Sequence, residues 1–154
     1  PGLSAGLTSS LILMTELVIF AVFMIALNFT PSITILYLIP IFVLEFILIL
    51  GLALPLSVLN TKFKDTEFIW GVVLQAGFFL TPIIYQFDML PEMVRKILQF
   101  SPMVQIVTMA HHVVLYGTLP SINQIAYATF SIAIIVIIGY VIFRKLQGQI
   151  VEEM

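Results

Sequence analysis

The sequence contains no cysteine and few charged residues, and these two shortages exclude several classes of protein. Without cysteine there can be no disulfide and no thiolate metal site. Only 9% of the 154 residues are charged, and the net charge is −2. The sequence also lacks a basic run and a glycine-rich phosphate loop, which argues against nucleic acid as a partner and against nucleotide binding by this chain.

Apolar residues, by contrast, make up 61% of the chain, and its mean hydropathy is +1.18. A soluble domain is typically about 45–50% apolar and about 25% charged. Small domains leave much of their surface exposed, so a water-soluble fold of this size could not bury so much apolar surface. The composition therefore predicts an integral protein of the cell membrane. Pro1 stands directly before an apolar run, without an initiator Met or a signal-peptide pattern, so we expect a piece of a longer chain.

Four apolar runs predict an all-α fold with four membrane-spanning helices, because a helix needs about 20 apolar residues to cross the hydrocarbon core. The first two runs are separated only by a turn from Asn28 to Ser32, so they form a predicted hairpin. The third run is short and is interrupted by Thr81 and Pro82. The predicted spans cover residues 7–27, 33–59, 68–85 and 122–143.

The region before the last run predicts two short helices, over residues 91–100 and 102–116. Each of them begins with a proline, which is favoured in the first turn of a helix. Ser101 precedes the second helix as a predicted cap, and Gly117 follows it as a predicted stop. We interpret the two helices as membrane-associated segments that do not have to cross the bilayer.

The distribution of basic residues gives the predicted orientation. Residues 60–67 are the most polar stretch and form a predicted loop. If the two short helices do not cross, this loop and the C-terminal tail lie on the same face, whereas a crossing by residues 102–116 would move the tail to the other face. Cytoplasmic loops carry an excess of Lys and Arg, so the more basic face is predicted to be cytoplasmic. That face holds Lys62, Lys64, Arg144 and Lys145, against Arg95 and Lys96 on the other.

Two carboxylates, Glu16 and Glu45, interrupt the first two runs. Both lie about 18–21 Å along a helix from the same hairpin turn, hence at similar predicted depth. An ionisable residue inside a membrane helix is costly and is a functional hypothesis by default. The two acids could share a proton in a proton or cation relay. The favoured alternative places each against a polar cavity or a partner subunit, because no Lys or Arg accompanies them within the membrane.

Other polar and aromatic residues give weaker signals. His111 and His112 are adjacent and therefore point about 100° apart on a helix, unlike the i and i+4 histidines of zinc-binding helices. We predict no metal site and no catalytic residues. Trp70 and Tyr85 suit the membrane interface. Phe78 and Phe79 could either pack or line a pathway for a substrate with sugar faces, and the sequence leaves both open.

Several ordered motifs resemble the type-2 ATP-binding-cassette export permeases, and most closely their branch that exports O-antigen, teichoic acid and capsular polysaccharides. The resemblance is carried by Asn60-Thr61-Lys62-Phe63-Lys64-Asp65 and by Phe78-Phe79-Leu80-Thr81-Pro82-Ile83-Ile84-Tyr85. It continues in Leu90-Pro91, Ser101-Pro102-Met103 and Leu115-Tyr116-Gly117 with Pro120. Lys64 stands where the family commonly has Arg, and Ser101 where it commonly has Asn.

This resemblance implies a permease of six spans, of which the chain would hold the last four, with a re-entrant gate over residues 91–116. It implies a homodimer that works with a separate nucleotide-binding ATPase, so ATP and Mg would be bound by the partner and no cofactor by this chain. The exported substrate would be a glycolipid or polysaccharide. A coupling role is implied for Asn60, Phe63, Lys64 and Asp65, and a pathway or gate role for Phe78, Phe79, Thr81, Pro82 and Tyr85.

Three alternatives remain at this level. The first is a type-2 exporter of drugs or small lipids with the same fold. The second is a proton-coupled secondary carrier that uses Glu16 and Glu45. The third is a membrane assembly subunit that transports nothing.

Overall fold

The protein is described by a computed structural model that covers residues 15–16, 18–28, 32–63, 65–83, 85 and 89–152, with the backbone alone described from 148 onward. Within these residues the secondary structure is entirely helical, with no strand. The chain divides into two compact units, one ending at Ile33 and the other beginning at Thr34. The all-α prediction is confirmed for the described residues.

In the N-terminal unit, the described residues 15, 16 and 18–26 are helical and are called α1. Asn28 ends it in a left-handed conformation with φ of 52°, which asparagine tolerates better than most residues. Its N–H donates to the carbonyl of Ile25 at 3.0 Å. The predicted end of the first run is confirmed, whereas its predicted beginning at Leu7 lies outside the described residues.

Among its described residues the second unit holds five α-helices, and two described segments are long and apolar enough to cross a membrane. These candidates are Ile33–Lys62 and Ile122–Gln147, with 11% and 17% of their most apolar stretches buried. A core helix of a soluble protein would bury most of such a stretch, so these surfaces require an apolar surrounding. In chain order the elements are a 3₁₀ turn (Ile33–Tyr37), α2 (Leu38–Lys62), α3 (Thr66–Leu80), α4 (Glu92–Leu98), α5 (Pro102–Val114) and α6 (Ile122–Glu152).

Helices α2 and α6 pack side by side and run in the same direction. Near their beginnings, Pro40 of α2 and Ile125 of α6 line one small apolar cavity. Further along, Gly51 of α2 lies against Val136 and Gly139 of α6. Because the contacts advance together along both helices, the C-terminal ends of α2 and α6 lie at the same end of the pair.

The closest approach of this pair is made by glycine and proline together. Pro55 lies inside α2 and has no N–H, so the carbonyl of Gly51, four residues earlier, loses its usual helical hydrogen bond. Gly139 of α6 packs against this carbonyl oxygen so closely that a Cβ atom there would collide with it. Small residues at a membrane helix crossing allow such backbone contact.

Helix α5 packs against the first halves of both α2 and α6. Met109 lies at the centre of this core and is fully buried. Near the C-terminus of α5, the hydroxyl of Thr34 donates to the carbonyl of Val113 at 3.1 Å. Near its N-terminus, Gln105 shares a cleft with Asn123 at the start of α6. Both ends of α5 therefore lie near the beginnings of α2 and α6. The core consists of Ile41, Leu48, Ile106, Met109, Val113, Ala128 and Ile132.

The short helices largely follow the sequence prediction. Helix α5 begins at Pro102, and Gly117 after it has a φ of 59°, so the predicted stop is confirmed. The predicted cap is wrong in detail, because Ser101 holds the cap position without a side-chain hydrogen bond. The first of the two helices covers Glu92–Leu98 rather than residues 91–100, with Pro91 just before it.

Three predicted boundaries are corrected. The polar stretch 60–67 is not a loop, because α2 continues to Lys62 and α3 begins at Thr66. The third run ends as a helix at Leu80 instead of residue 85, since a residue before proline avoids the helical conformation. Helix α6 continues past residue 143 to Glu152, because the Arg, Lys, Leu and Gln that follow are good helix formers.

Candidate functional site

The predicted coupling residues and the predicted pathway or gate residues form two groups at opposite ends of α3. The first group lies in the corner between α2 and α3, and the second covers the last turn of α3 and the break after it. A helix of 15 residues separates them by roughly 22 Å. The structure therefore brings together the members within each group but does not join the groups into one site.

The corner between α2 and α3 is held by hydrogen bonds to two carbonyls. The N–H of Phe63 and the hydroxyl of Thr66 both donate to the carbonyl of Leu59, at 2.7 and 3.2 Å. The N–H of Thr66 donates to the carbonyl of Phe63 at 3.1 Å. Thr66 thus closes the exposed end of α2 while it begins α3. These bonds join the two helices through a short connection.

The predicted coupling residues project from this corner. Asn60 is exposed in the last turn of α2, and Phe63 is 57% exposed. Asp65 holds the cap position of α3, yet its side chain makes no capping hydrogen bond. Its carboxylate is therefore presented outward, where a partner protein can reach it. Lys64 lies outside the described residues.

The break after α3 is built by Thr81 and Pro82, which are both buried although α3 itself has no buried residue. The Thr81 hydroxyl donates to the carbonyl of Gly77 at 2.7 Å, and its N–H donates to the same carbonyl at 2.9 Å. Pro82 cannot continue the helix because it lacks an N–H. These two residues end α3 and turn the chain inward.

Tyr85 completes this break by folding back on the helix. Its hydroxyl lies 3.0 Å from the carbonyl of Phe79 and 2.9 Å from that of Leu80, so one proton is shared between two acceptors. These are among the last carbonyls of α3, which have no partner within the helix. In a membrane such groups are costly to leave unsatisfied. The predicted interfacial role of Tyr85 is therefore accompanied by a capping role that the sequence did not indicate.

Phe78 and Phe79 form an edge-to-face pair with ring centroids 5.7 Å apart. They are 46% and 67% exposed, so neither ring is part of the protein core. Their exposure is compatible with contact to lipid, to another subunit or to a substrate. The pathway role stays a prediction.

The two predicted intramembrane acids belong to different units of the chain. Glu16 is an exposed residue of α1, and Glu45 is half-buried on α2. Within the described part of the chain neither makes an ion pair or a side-chain hydrogen bond. Among the described residues there is also no cluster of three side chains that could hold a metal ion.

A cleft that the sequence analysis missed lies between the end of α4 and the beginnings of α5 and α6. Ser121 and Gln124 exchange hydrogen bonds there, at 3.2 and 3.3 Å, in a capping box. The Ser-x-x-Gln spacing in the sequence predicts that a helix begins here. This spacing does not predict that the end of α4 lies nearby.

Comparison with known proteins shows which family the chain belongs to, and the match includes the residues at both ends of α3. A sequence model of the family described as "ABC-2 type transporter" matches residues 3–115, which include the α2–α3 corner and the break after α3. The chain belongs to the ABC-2 type transporter family. The resemblance seen in the sequence motifs is thereby confirmed at the level of the family, and this ABC-2 chain is a membrane protein.

Two curated relatives of this ABC-2 chain carry the name "O-antigen export system permease protein RfbA", and both are from Klebsiella pneumoniae. One is 28% identical over 135 residues, which cover 87% of this chain and 52% of the relative. The other is 28% identical over 131 residues, covering 84% of this chain and 50% of the relative. The chain thus spans about half the length of the curated relatives it matches. Both relatives are named as transport permeases and not as enzymes.

Proposed function

We propose that this chain is the transmembrane permease part of an ATP-driven exporter that moves a polysaccharide or glycolipid across the cell membrane. Membership in the ABC-2 family is the observation that carries the proposal. The names of the two relatives support O-antigen or a similar glycan as the substrate. ATP and Mg would be bound by a separate ATPase, and two permease copies would form the transport unit.

The arrangement of the second unit supports the topology that this function needs. Helices α2 and α6 are parallel, so Lys62 lies at the same end of the pair as Arg144 and Lys145. Arg95 and Lys96 belong to α4, whose end borders the beginning of α6. With the more basic end in the cytoplasm, the α2–α3 corner faces the ATPase. In this proposal α1, α2, α3 and α6 span the membrane.

The position of α5 supports a re-entrant segment at the outer side. Its two ends contact the beginnings of α2 and α6, through Thr34 at one end and Asn123 at the other. The pair α4–α5 would then close the pathway from outside. Rigid-body movement of the two permease copies would open it.

The function is tested by reconstituting the complete transporter with its partner ATPase in lipid vesicles. We expect glycan transport that requires ATP and stops when the ATPase is inactivated by substitution of its catalytic carboxylate. The same assay is run on a Glu16→Gln/Glu45→Gln variant, which we expect to retain ATP-driven transport. If a proton gradient alone drove transport, and this variant abolished it, the chain would be a proton-coupled carrier.

Single-cysteine labelling tests the topology, because these 154 residues contain no cysteine that would compete for the label. Met93→Cys and Leu119→Cys place thiols on exposed residues before and after α5. We expect a membrane-impermeant maleimide to label both in intact cells, because α5 returns to the side from which it enters. Gln147→Cys on α6 should be labelled only after permeabilisation. Labelling of Met93→Cys and Leu119→Cys from opposite sides would mean that α5 crosses.

A further inference from the structure

A cleft of about 310 Å³ opens where α4, α5 and α6 meet. Its volume lies at the lower end of the range of about 300–1,000 Å³ that small-molecule sites occupy. The lining consists of four side-chain amides and two aromatic rings, from Gln99, Phe100, Gln105, Asn123, Gln124 and Tyr127. The chain as a whole is 61% apolar. The four amides therefore distinguish this cleft from most of the protein surface.

The lining contains no acidic or basic residue. On neighbouring α4, Lys96 is paired with Glu92 at 2.8 Å, one turn apart. A charged ligand would therefore meet no counter-charge in the lining of this open cleft. The chemistry of the lining favours a neutral ligand.

The amides have hydrogen-bonding capacity to spare. Gln105 donates from Nε2 to the carbonyl of Gln99 at 2.7 Å, which leaves its Oε1 as an acceptor. Gln124 accepts at Oε1 from the N–H of Ser121, which leaves its Nε2 as a donor. The Asn123 amide has no hydrogen-bond partner within the described part of the chain. A ligand that both donates and accepts, as a hydroxyl group does, suits this set.

These hydrogen bonds also hold the cleft in place. The capping box fixes the first turn of α6, which carries Asn123 and Gln124. The bond from Gln105 fixes the start of α5 to the end of α4. A site whose polar groups are already oriented loses less entropy when a ligand binds.

The rings supply the apolar part of the cleft. Phe100 and Tyr127 meet in a tilted arrangement with centroids 6.0 Å apart. Phe100 is 62% exposed, so part of its ring is free for contact. A pyranose has hydroxyl groups at its rim and C–H groups on its faces. Rings beside amides match both kinds of surface.

We propose that this cleft binds a neutral pyranose unit of the exported glycan. The proposal rests on the proposed function for the source of the sugar and for the position of the cleft at the outer side. The cleft lies at the start of α6, at the opposite end from the basic residues. There it would hold the sugar chain as it leaves the permease.

Saturation-transfer NMR on the complete transporter in lipid nanodiscs tests this site, with lactose, maltose and mannobiose as probes. We expect saturable binding by the wild type, and binding about tenfold weaker in Asn123→Ala/Tyr127→Leu, which removes an amide and a ring contact. The matched control is Tyr140→Leu/Gln147→Ala, which changes an exposed tyrosine and an exposed amide elsewhere on α6. Asn123→Ala alone breaks no hydrogen bond of the described structure. This single variant replaces the double variant in the binding measurement if the double variant unfolds.

Glucose and the negatively charged glucuronate are compared as two further probes. The site is refuted if the wild type shows no saturable binding, if the cleft variants and the control bind equally, or if glucuronate binds more tightly than glucose. Glycan export measured in parallel separates this proposal from the proposed function. Export that persists without cleft-dependent binding overturns the site alone. Binding that depends on Asn123 in a transporter without ATP-driven export supports the site and overturns the proposed function.

Discussion

Replacing Gly139 by alanine should separate α2 from α6 and destabilise the protein by about 3 kcal/mol or more. The added Cβ would collide with the carbonyl oxygen of Gly51 and would lie 3.3 Å from the ring of Pro55. Neither neighbour can rotate away, because one is backbone and the other is a ring within a helix. The helices must move apart, which also disturbs the core that α5 fills. The measurement is the fraction of intact transporter that remains after heating, followed by size-exclusion chromatography, because membrane proteins often unfold irreversibly.

The matched control is the same substitution at Gly71 and Gly77 of α3. A Cβ at either position meets no other atom within 4 Å. Alanine favours a helix by up to about 1 kcal/mol over glycine, so these variants should be as stable as the wild type or more so. Equal heat resistance of Gly139→Ala and Gly71→Ala would refute the close crossing of α2 and α6.

Truncation of Met109 to alanine should cost about 2–5 kcal/mol, the range for a long side chain removed from a packed core. Met109 belongs to α5, has 0% of its surface exposed and packs in the core that α5 forms with α2 and α6. The resulting cavity would loosen α5 first, because α5 is attached to the pair mainly through this core. We expect a lower unfolding temperature, measured by the same heating assay.

Met93→Ala provides the comparison, since Met93 is 79% exposed on α4. It changes the same side chain in the same way, but without creating a cavity. Exposed substitutions usually stay within about 0.5 kcal/mol of the wild type. If both methionine variants lost heat resistance to the same degree, the packing of α5 against α2 and α6 would be wrong.

Local features of the fold were predictable because they depend on single residues. Asn28 and Gly117 have positive φ, at the places where the sequence predicted helices to end. Pro102 begins α5 as predicted. Proline restricts the backbone conformation at its own position, whereas glycine and asparagine tolerate a positive φ. Such effects depend only on the residue type, so they can be predicted from the sequence.

Boundaries that depend on polarity were predicted less well. The polar residues after Leu59 suggested a loop, yet the hydroxyl of Thr61 donates to the carbonyl of Ser57 within α2. Polar side chains mark where a helix leaves the membrane, but they do not end it. The same reasoning explains why α6 continues beyond Arg144.

Contacts between distant segments could not be predicted. Nothing in the sequence pairs Gly51 with Gly139, or Gln105 with Asn123, because these approaches depend on how three helices pack. For the same reason, the motifs identified the predicted site residues without indicating that they lie at opposite ends of α3. The amide cleft was missed because its members come from three helices.

Helix α6 differs from α2 in one respect that matters for movement. It contains no proline in its 31 residues, whereas α2 contains Pro55 in its interior and lacks one backbone hydrogen bond there. Such a helix is about 46 Å long, which exceeds the hydrocarbon thickness by about half. In the proposed topology it forms one continuous rod, which begins at the cleft between α4, α5 and α6 and ends beyond the hydrocarbon. A tilt of α6 that widens the cleft also displaces Arg144 and the residues after it. In the proposed topology, movement at the outer face of the membrane is therefore coupled to movement at the cytoplasmic face.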